Sequence, residues 1–259
     1  MRLHRALEGT VRTLTIKRAV NKWYVCFSVE CEAQLLPPSS EEIGIDVGLT
    51  SYAVLSDGTE IENPRWLRKA HQSLRRKQRQ LARCKRRSNR RRKAARAVAI
   101  SHAKVFQQRN DFQHKLSRKL INRYGLIAME SLNIRNITSS TEGTKEKPGK
   151  NVRQKAGLNR SILDAAWGLL FQRIAYKALI AGRILREPAA RNSSQECLCG
   201  ASVPKTLKDR RHDCAACGLS APRDHVSAQV ILQRARNWPS DANVEVVNSS
   251  VVREAVCLS

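Results

Sequence analysis

Three segments that lie far apart in the sequence each bring one carboxylate to the end of an apolar run. The segments are GIDVG at 44–48, LIAME at 126–130, and PRD at 222–224 before VSAQVIL. Their carboxylates belong to Asp46, Glu130 and Asp224. A carboxylate in apolar surroundings is costly unless a partner compensates its charge. If the three converge, a pair of divalent cations would compensate them, and two metals held by carboxylates can cleave phosphodiester bonds.

The charge balance of the chain favours a polyanionic partner. The 259 residues include 48 lysines and arginines against 22 acids, giving a formal net charge of +26. This balance is typical of nucleic-acid binding and less often of binding to an anionic membrane. No apolar run of about 18 residues could span a bilayer, and the N-terminus lacks the apolar core of a secretion signal. We therefore expect a cytoplasmic protein without a membrane partner, whose eight cysteines are metal ligands or thiols and not a disulfide framework.

Alternating apolar residues and turn signals predict the strands. Residues 10–32 and 43–61 each indicate a β-hairpin, the second with a turn at Asp57-Gly58. Residues 126–129 and 183–186 indicate two further short strands.

Helical periodicity predicts the remaining regular structure. Residues 65–122 indicate long helices with a thin apolar stripe. Residues 138–157 are polar and indicate a loop, after which Ser161 is a plausible helix N-cap with Asp164 three residues on. The last predicted helix covers residues 224–236.

Two close pairs of cysteines predict a structural zinc site. The four candidate ligands are Cys197, Cys199, Cys214 and Cys217. A glycine follows each pair and supplies the backbone freedom that a tight metal knuckle needs. Four thiolates at about 2.3 Å from the ion close a tetrahedral site. The first pair is C-x-C and so one residue shorter than the usual C-x-x-C, and His212 is an alternative ligand.

A dense run of basic residues between residues 68 and 93 predicts contact with nucleic acid. The candidate residues are Arg75, Arg76, Lys77, Arg79, Arg83, Arg86, Arg87, Arg90, Arg91 and Arg92. Like charges at helical i,i+4 spacing repel, and few acids neighbour them, so phosphates would stabilise these helices. The contacts would be to the phosphate backbone, which positions a nucleic acid without reading its sequence. The alternative is a basic face that is simply solvated.

Taken together, the motifs resemble those of the TnpB family. These are RNA-guided DNA nucleases that insertion sequences encode, related to type V CRISPR effectors and often labelled transposases. The motifs that carry the resemblance are GIDVG, AMES at 128–131 with the following Leu-Asn, DAAWG at 164–168, SSQECLCG, CAACG and PRD. The resemblance extends from about residue 10 to about residue 234.

The resemblance implies an α/β fold of the RNase H-like, RuvC type. It implies a mixed sheet with long basic helices, an inserted zinc ribbon and a residual N-terminal β-hairpin. Asp46, Glu130 and Asp224 would be the catalytic acids and would hold two Mg²⁺ or Mn²⁺ ions, and the four paired cysteines would hold Zn²⁺. The partners would be a guide RNA and a target DNA.

The resemblance also implies a division of the chain into domains. The expected units are a residual wedge-like hairpin at 1–38, a nuclease domain at 39–190 with a basic insertion at about 65–122, a zinc ribbon at 191–222, a final nuclease helix at 223–236 and an unassigned tail at 237–259.

The sequence departs from the family pattern in three places. Family members are normally longer, and we expect this chain to lack most of the N-terminal wedge and recognition region. The first cysteine pair is shortened, and Val226 and Ser227 stand where the family usually has Asn and Ala. Two alternatives to a guided endonuclease therefore stay open: a non-cleaving zinc-ribbon protein that binds nucleic acid, and a DDE-type transposase that shares the fold and metals.

Overall fold

The computed structural model describes residues 7, 9–20, 22–143, 146–190, 192–206 and 208–238, together with the backbone of 251–258. Residues 1–6 of the predicted hairpin unit and residues 239–250 of the predicted tail lie outside the described residues.

Strands come first and helices alternate with them later in the chain. The strands are β1 (Thr10–Ala19), β2 (Lys22–Glu32), β3 (Glu42–Val47), β4 (Ser51–Leu55), β5 (Glu60–Glu62), β6 (Leu126–Met129), β7 (Ile184–Arg186), β8 (Arg211–Asp213), β9 (Ser220–Pro222) and β10 (Val251–Leu258). The helices are α1 (Trp66–Ala82), α2 (Asn89–Arg123), α3 (Ile134–Ile137), α4 (Val152–Ala165), α5 (Trp167–Ala181) and α6 (Arg223–Arg236).

A central five-stranded sheet has the order β5-β4-β3-β6-β7. Strands β3, β6 and β7 are parallel, whereas β4 and β5 join β3 as an antiparallel meander. The predicted mixed α/β fold with long basic helices is therefore confirmed. The predicted first hairpin is also confirmed, and β10 adds a third strand to it from a segment that the sequence left unassigned.

The two faces of the central sheet bury different partners. Ile43 and Ile45 of β3 and Ile127 and Met129 of β6 pack with apolar residues of α2, α4 and α5. Successive side chains on a strand point to opposite faces, so the opposite face of β6 carries Leu126 and Ala128, which pack against Ile231, Leu232 and Ala235 of α6.

Gly44 allows α6 to lie directly on β3. A Cβ atom built on Gly44 would stand 2.1 Å from the carbonyl oxygen of Ala228 in α6. At the far end of the helix, Arg236 Nε donates to Glu42 Oε2 at 2.6 Å. Near its beginning, His225 Nε2 lies 3.1 Å from the carbonyl oxygen of Ser56. The helix is thus held against β3 at two points and against the end of β4 at a third.

The long basic helices α1 and α2 form an antiparallel hairpin on the side of α5. Leu74 and Ala94 are buried between them, and Ser88 accepts from Arg91 N at 3.1 Å as the N-cap of α2. None of the described helices is both long and apolar enough to cross a membrane.

The sequence prediction for residues 138–165 is wrong in one respect. Helix α4 begins at Val152, inside the predicted loop, so Ser161 lies within the helix and donates to the carbonyl oxygen of Gly157. The Asp164 carboxylate instead accepts from Leu67 N at 3.1 Å and from Arg109 Nη2 at 2.8 Å. It therefore caps α1, a helix that is distant in sequence.

The expectation that the unpaired cysteines are ordinary thiols is wrong for Cys26, which is disulfide-bonded. Cys26 lies in β2 of the N-terminal sheet. Cys84, in contrast, is a free thiol in the turn between α1 and α2.

We predict that Gly44→Ala destabilises the protein by about 1–3 kcal/mol, because the added methyl group forces α6 away from β3. Urea unfolding measures this change. Gly157→Ala is the control, since a Cβ atom there meets nothing within 4 Å and removal of a helical glycine is neutral or slightly stabilising. Equal stabilities of the two variants would contradict the packing described here.

Candidate carboxylate site and cysteine cluster

The register of β3 and β6 places Asp46 beside Glu130. Gly44 pairs with Ala128 and Ile45 with Met129 in the parallel ladder. One further step brings Asp46 level with Glu130, which directly follows β6. Because alternate residues of a strand share a face, both carboxylates lie on the face that α6 covers.

Helix α6 brings Asp224 to the same end of the sheet. The helix runs opposite to β3, since Ala228 covers Gly44 and Arg236 contacts Glu42 at the start of the strand. Asp224 precedes Ala228 by about one helical turn. Its side chain is therefore carried towards the end of β3 where Asp46 lies.

Burial raises the pKa of two of the carboxylates, and neighbouring charges also affect it. The pKa of Asp46 is raised to about 8, mainly by burial and then by the negative charges of Glu130 and Asp224. The positive charge of Arg223 lowers this pKa in part. The pKa of Glu130 is also raised by burial, while a hydrogen bond from Ser193 and the charge of Arg234 lower it. Burial and neighbouring like charge both disfavour the ionised form of a carboxyl group.

The carboxylates are near one another without forming a compact cage. Among the described residues, the four cysteines are the group of possible metal ligands whose ligand atoms all lie within 4.8 Å of one another. Asp46, Glu130 and Asp224 do not form such a group. The oxygen atoms of the three carboxylates still fit Mg²⁺ or Mn²⁺, which prefer carboxylate ligands. The positive charges of such ions would offset the cost of burying the three acids.

Asp224 does not act as an ordinary helix cap. Pro222 occupies the N-cap position of α6, and the helix has no side-chain cap hydrogen bond. The Asp224 carboxylate instead accepts from Arg223 Nε at 3.2 Å. It therefore pairs with Arg223, and its negative charge contributes to the raised pKa of Asp46.

Two residues near the site were not predicted. The Ser193 hydroxyl donates to Glu130 Oε1, and Arg234 of α6 contributes a positive charge near Glu130. Ser193 belongs to the SSQECLCG motif, but nothing in that motif indicates a partner 63 residues away.

The cysteine cluster has the dimensions of a tetrahedral thiolate site. The sulfur atoms of Cys197 and Cys217 are 3.6 Å apart and those of Cys199 and Cys214 are 3.8 Å apart. Four sulfurs at about 2.3 Å from one ion would be roughly 3.8 Å apart. The cluster can therefore hold a metal ion such as zinc.

The glycine after each cysteine pair closes its turn. Gly200 has φ +83° and donates to the carbonyl oxygen of Cys197, and Gly218 has φ +73° and donates to that of Cys214. Positive φ angles favour glycine. The alternative ligand His212 is outside the cluster and buried against Lys205.

Most of the predicted basic residues have exposed side chains. The exposed ones are Arg75, Arg76, Arg79, Arg83, Arg86, Arg87, Arg90 and Arg92. The other two candidates have contacts within the hairpin, since Lys77 Nζ donates to Ser101 Oγ at 2.5 Å and Arg91 Nη1 donates to the carbonyl oxygen of Leu81 at 3.2 Å. These two therefore stabilise the helix pair.

A basic cleft lies at the turn between α1 and α2. The charged residues that line it are Arg76, Arg79, Arg83, Lys85, Arg90 and Lys93. Among the described residues that line the cleft there is no acid, and the sequence contains none between residues 63 and 110. A phosphate backbone is a ligand of opposite charge to these side chains.

Two protein families match separate parts of the chain. The family described as "Probable transposase" matches residues 25–141. The domain family described as "Cas12f1-like, TNB domain" matches residues 167–231, which include the cysteine cluster and most of α6.

Named relatives cover most of this chain. It is 35% identical over 231 residues to "Putative RNA-guided DNA endonuclease InsQ" of Escherichia coli (strain K12), covering 88% of this chain and 58% of the relative. It is 34% identical over 227 residues to "Putative RNA-guided DNA endonuclease" of Streptomyces pristinaespiralis, covering 87% and 52%. The chain thus spans between half and three fifths of the length of these relatives.

A solved structure has a similar fold. The cryo-EM structure of a CRISPR-Cas12f ternary complex matches with a TM-score of 0.52 and 18% identity, covering 85% of this chain and 44% of that chain. At this identity the match establishes the fold alone.

We predict that Asp46→Asn changes how stability depends on pH in buffer without Mg²⁺ or Mn²⁺. Because the folded-state pKa of Asp46 is raised, the folded protein binds this proton more tightly than the unfolded chain, and its stability falls as pH rises from about 4 towards about 8. Asp46→Asn has no carboxyl group to ionise at this position, so its stability should not fall in this way. At pH 8 its free energy of unfolding should exceed that of the wild type by at least about 1 kcal/mol. Thermal unfolding across this pH range measures the difference.

The control for this experiment is Asp111→Asn, which removes an exposed carboxylate of α2. Its unfolding curves should keep the wild-type pH dependence. Parallel pH profiles for wild type and Asp46→Asn would contradict the burial and clustering of this carboxylate.

We also predict that the purified protein contains about one zinc ion per chain, because the four thiolates form one closed site. Elemental analysis should find this zinc lost in Cys214→Ser and retained in Cys84→Ser, which alters the free cysteine of the helical turn. A folded, reduced wild-type protein without zinc would disprove the assignment.

Proposed function

We propose that this chain, a relative of the TnpB family of insertion-sequence proteins, is the nuclease part of an RNA-guided DNA endonuclease. The observation that carries the proposal is the convergence of Asp46, Glu130 and Asp224, since the charges of the latter two raise the pKa of Asp46. The names of the relatives from two bacteria support the same activity.

The topology supports an RNase H-like nuclease of the RuvC type. In this proposal residues 39–190 and 223–236 form the nuclease, residues 191–222 a zinc ribbon inserted before its last helix, and residues 1–38 part of a wedge-like domain. The antiparallel meander β3-β4-β5 followed by parallel strands β6 and β7 is consistent with such a sheet. The first and last acids then lie on its first strand and last helix.

The three carboxylates would hold two Mg²⁺ or Mn²⁺ ions. Bound ions would supply a nucleophile from water and charge stabilisation at the leaving oxygen. The protein's own contribution is to fix the ligands: β3 and β6 hold two of them in register, and α6 holds the third. Ser193 restricts Glu130 through its hydrogen bond, and Arg223 balances part of the charge of Asp224.

The α1–α2 hairpin would bind the backbone of guide RNA or target DNA. Four of its exposed arginines, Arg76, Arg79, Arg83 and Arg90, line the cleft at the turn between α1 and α2, and no acid is among the cleft's lining residues. Counterion release from the nucleic acid would drive such binding and make it sensitive to salt.

We predict that cleavage of plasmid DNA, assayed with a guide RNA matched to that plasmid, requires Mg²⁺ or Mn²⁺ and is lost in Asp46→Ala, Glu130→Ala and Asp224→Ala. Because the acids act on shared ions, a double variant should be no worse than either single variant. Binding to DNA should persist or tighten, since each change removes a negative charge. Glu62→Ala, which removes an exposed carboxylate of β5, is the control and should cleave normally.

Three outcomes of this assay would contradict the proposal. Binding without cleavage at any Mg²⁺ or Mn²⁺ concentration would indicate a non-cleaving nucleic-acid-binding protein. Joined strands in place of free ends would indicate a DDE-type transposase. Cleavage that survives loss of Asp46 would place the nuclease site elsewhere.

We predict that Arg83→Gln combined with Arg90→Gln lowers the slope of log affinity against log salt by about 1.8 for duplex DNA, since each lost phosphate contact removes about 0.9. Both arginines are exposed and line the basic cleft. The control combines Arg118→Gln and Lys119→Gln, which remove two exposed charges near the other end of α2. Equal slopes for both double variants would show that the cleft does not contact phosphate.

A further inference from the structure

Ser193 connects the cysteine cluster with the candidate nuclease site. It lies in a single 3₁₀ turn, Ser193–Gln195, which ends just before Cys197. Its side chain is only 5% exposed, and its hydroxyl donates to Glu130 Oε1. One short segment therefore carries both a partner of the carboxylate and a candidate zinc ligand.

The first cysteine knuckle holds this segment from its C-terminal side. Cys197 N donates to the carbonyl oxygen of Ala201 at 2.9 Å, and Val203 N donates to that of Gln195 at 2.7 Å. Lys205 Nζ also donates to the carbonyl oxygen of Ser194 at 2.9 Å. These bonds hold the 3₁₀ turn in place only if the backbone around Cys197 keeps its folded conformation.

Helix α6 holds the same segment from the other side. Arg234 Nε lies 3.2 Å from Glu196 Oε2, and Arg234 Nη1 donates to the carbonyl oxygen of Ala189 at 2.8 Å. Gln233 Nε2 donates to the carbonyl oxygen of Leu198 at 3.2 Å. The helix that supplies Asp224 thus also anchors the segment that supplies Ser193.

We propose that Ser193 is a positioning residue for Glu130 and that the cysteine cluster, by holding the segment around Ser193, couples zinc binding to divalent-ion affinity at the carboxylates. The inference rests on the proposed nuclease function. A hydroxyl is suited to this role because it fixes the orientation of one carboxylate oxygen without neutralising the charge that a cation needs. Hydrogen-bond partners of metal ligands typically change metal affinity by about 10–100-fold when they are removed.

The first test measures Mn²⁺ binding by electron paramagnetic resonance in the full chain with zinc bound. The signal that Asp46→Ala abolishes defines binding at the carboxylates. Ser193→Ala should weaken this binding by about 10–100-fold, and Ser193→Thr, which keeps the hydroxyl, should restore it. Ser194→Ala, at the neighbouring exposed position, should bind as the wild type does.

The outcomes separate this inference from the function on which it rests. Mn²⁺ binding that is equal in wild type and Ser193→Ala would overturn the inference alone. A wild-type protein that binds no Mn²⁺ at Asp46 would overturn both. Weakening by Ser193→Thr equal to that by Ser193→Ala would show that packing and not the hydroxyl matters, which also overturns it.

A double-mutant cycle tests the coupling to zinc. Cys217→Ser should reduce both the zinc content and the Mn²⁺ affinity at the carboxylates. In the Ser193→Ala background the same cysteine change should have little further effect on Mn²⁺ affinity, because its route to Glu130 is already lost. Unchanged Mn²⁺ affinity in Cys217→Ser, or an equal loss in both backgrounds, would overturn the coupling.

Discussion

The close contact between the backbone of α6 and Gly44 determines the geometry of the candidate site. Without a side chain at residue 44, the carbonyl oxygen of Ala228 can lie directly over β3. The helix then runs back along the strand, and its first turn meets the strand end that bears Asp46. This contact, together with the Arg236–Glu42 and His225–Ser56 contacts near the two ends of α6, brings Asp224 beside Asp46 of β3.

The second constraint is electrostatic. Burial and the charges of two neighbouring acids raise the pKa of Asp46 to about 8. The stretch of α1 and α2 between residues 63 and 110, in contrast, carries many cations and contains no acid. Both arrangements are unfavourable in isolation. Divalent ions would compensate the clustered acids, and the phosphates of a nucleic acid would compensate the basic helices. A nuclease that binds both would therefore account for both features.

The sequence was most informative where the determinants of structure are local. The apolar run Leu126–Met129 predicted β6, and the periodicity of residues 224–236 predicted α6 to within one residue. It was also informative for the cysteine cluster, because paired cysteines with following glycines specify a local turn. The convergence of the acids followed from the family resemblance and not from spacing alone.

Local patterns failed where a side chain has a distant partner. Asp164 looked like part of a capping box for its own helix, yet it binds Leu67 N, 97 residues away. Ser193 looked like part of the zinc motif, yet its hydroxyl contacts Glu130. Such contacts depend on tertiary packing, so no local pattern could reveal them.

Anomalous diffraction from crystals soaked in Mn²⁺ would show whether Asp46, Glu130 and Asp224 bind the same ions. We expect manganese peaks between these three carboxylates, with the cysteine cluster retaining zinc. Ordered crystals with no manganese peak at these carboxylates, or with a peak that reaches only one of them, would contradict this expectation.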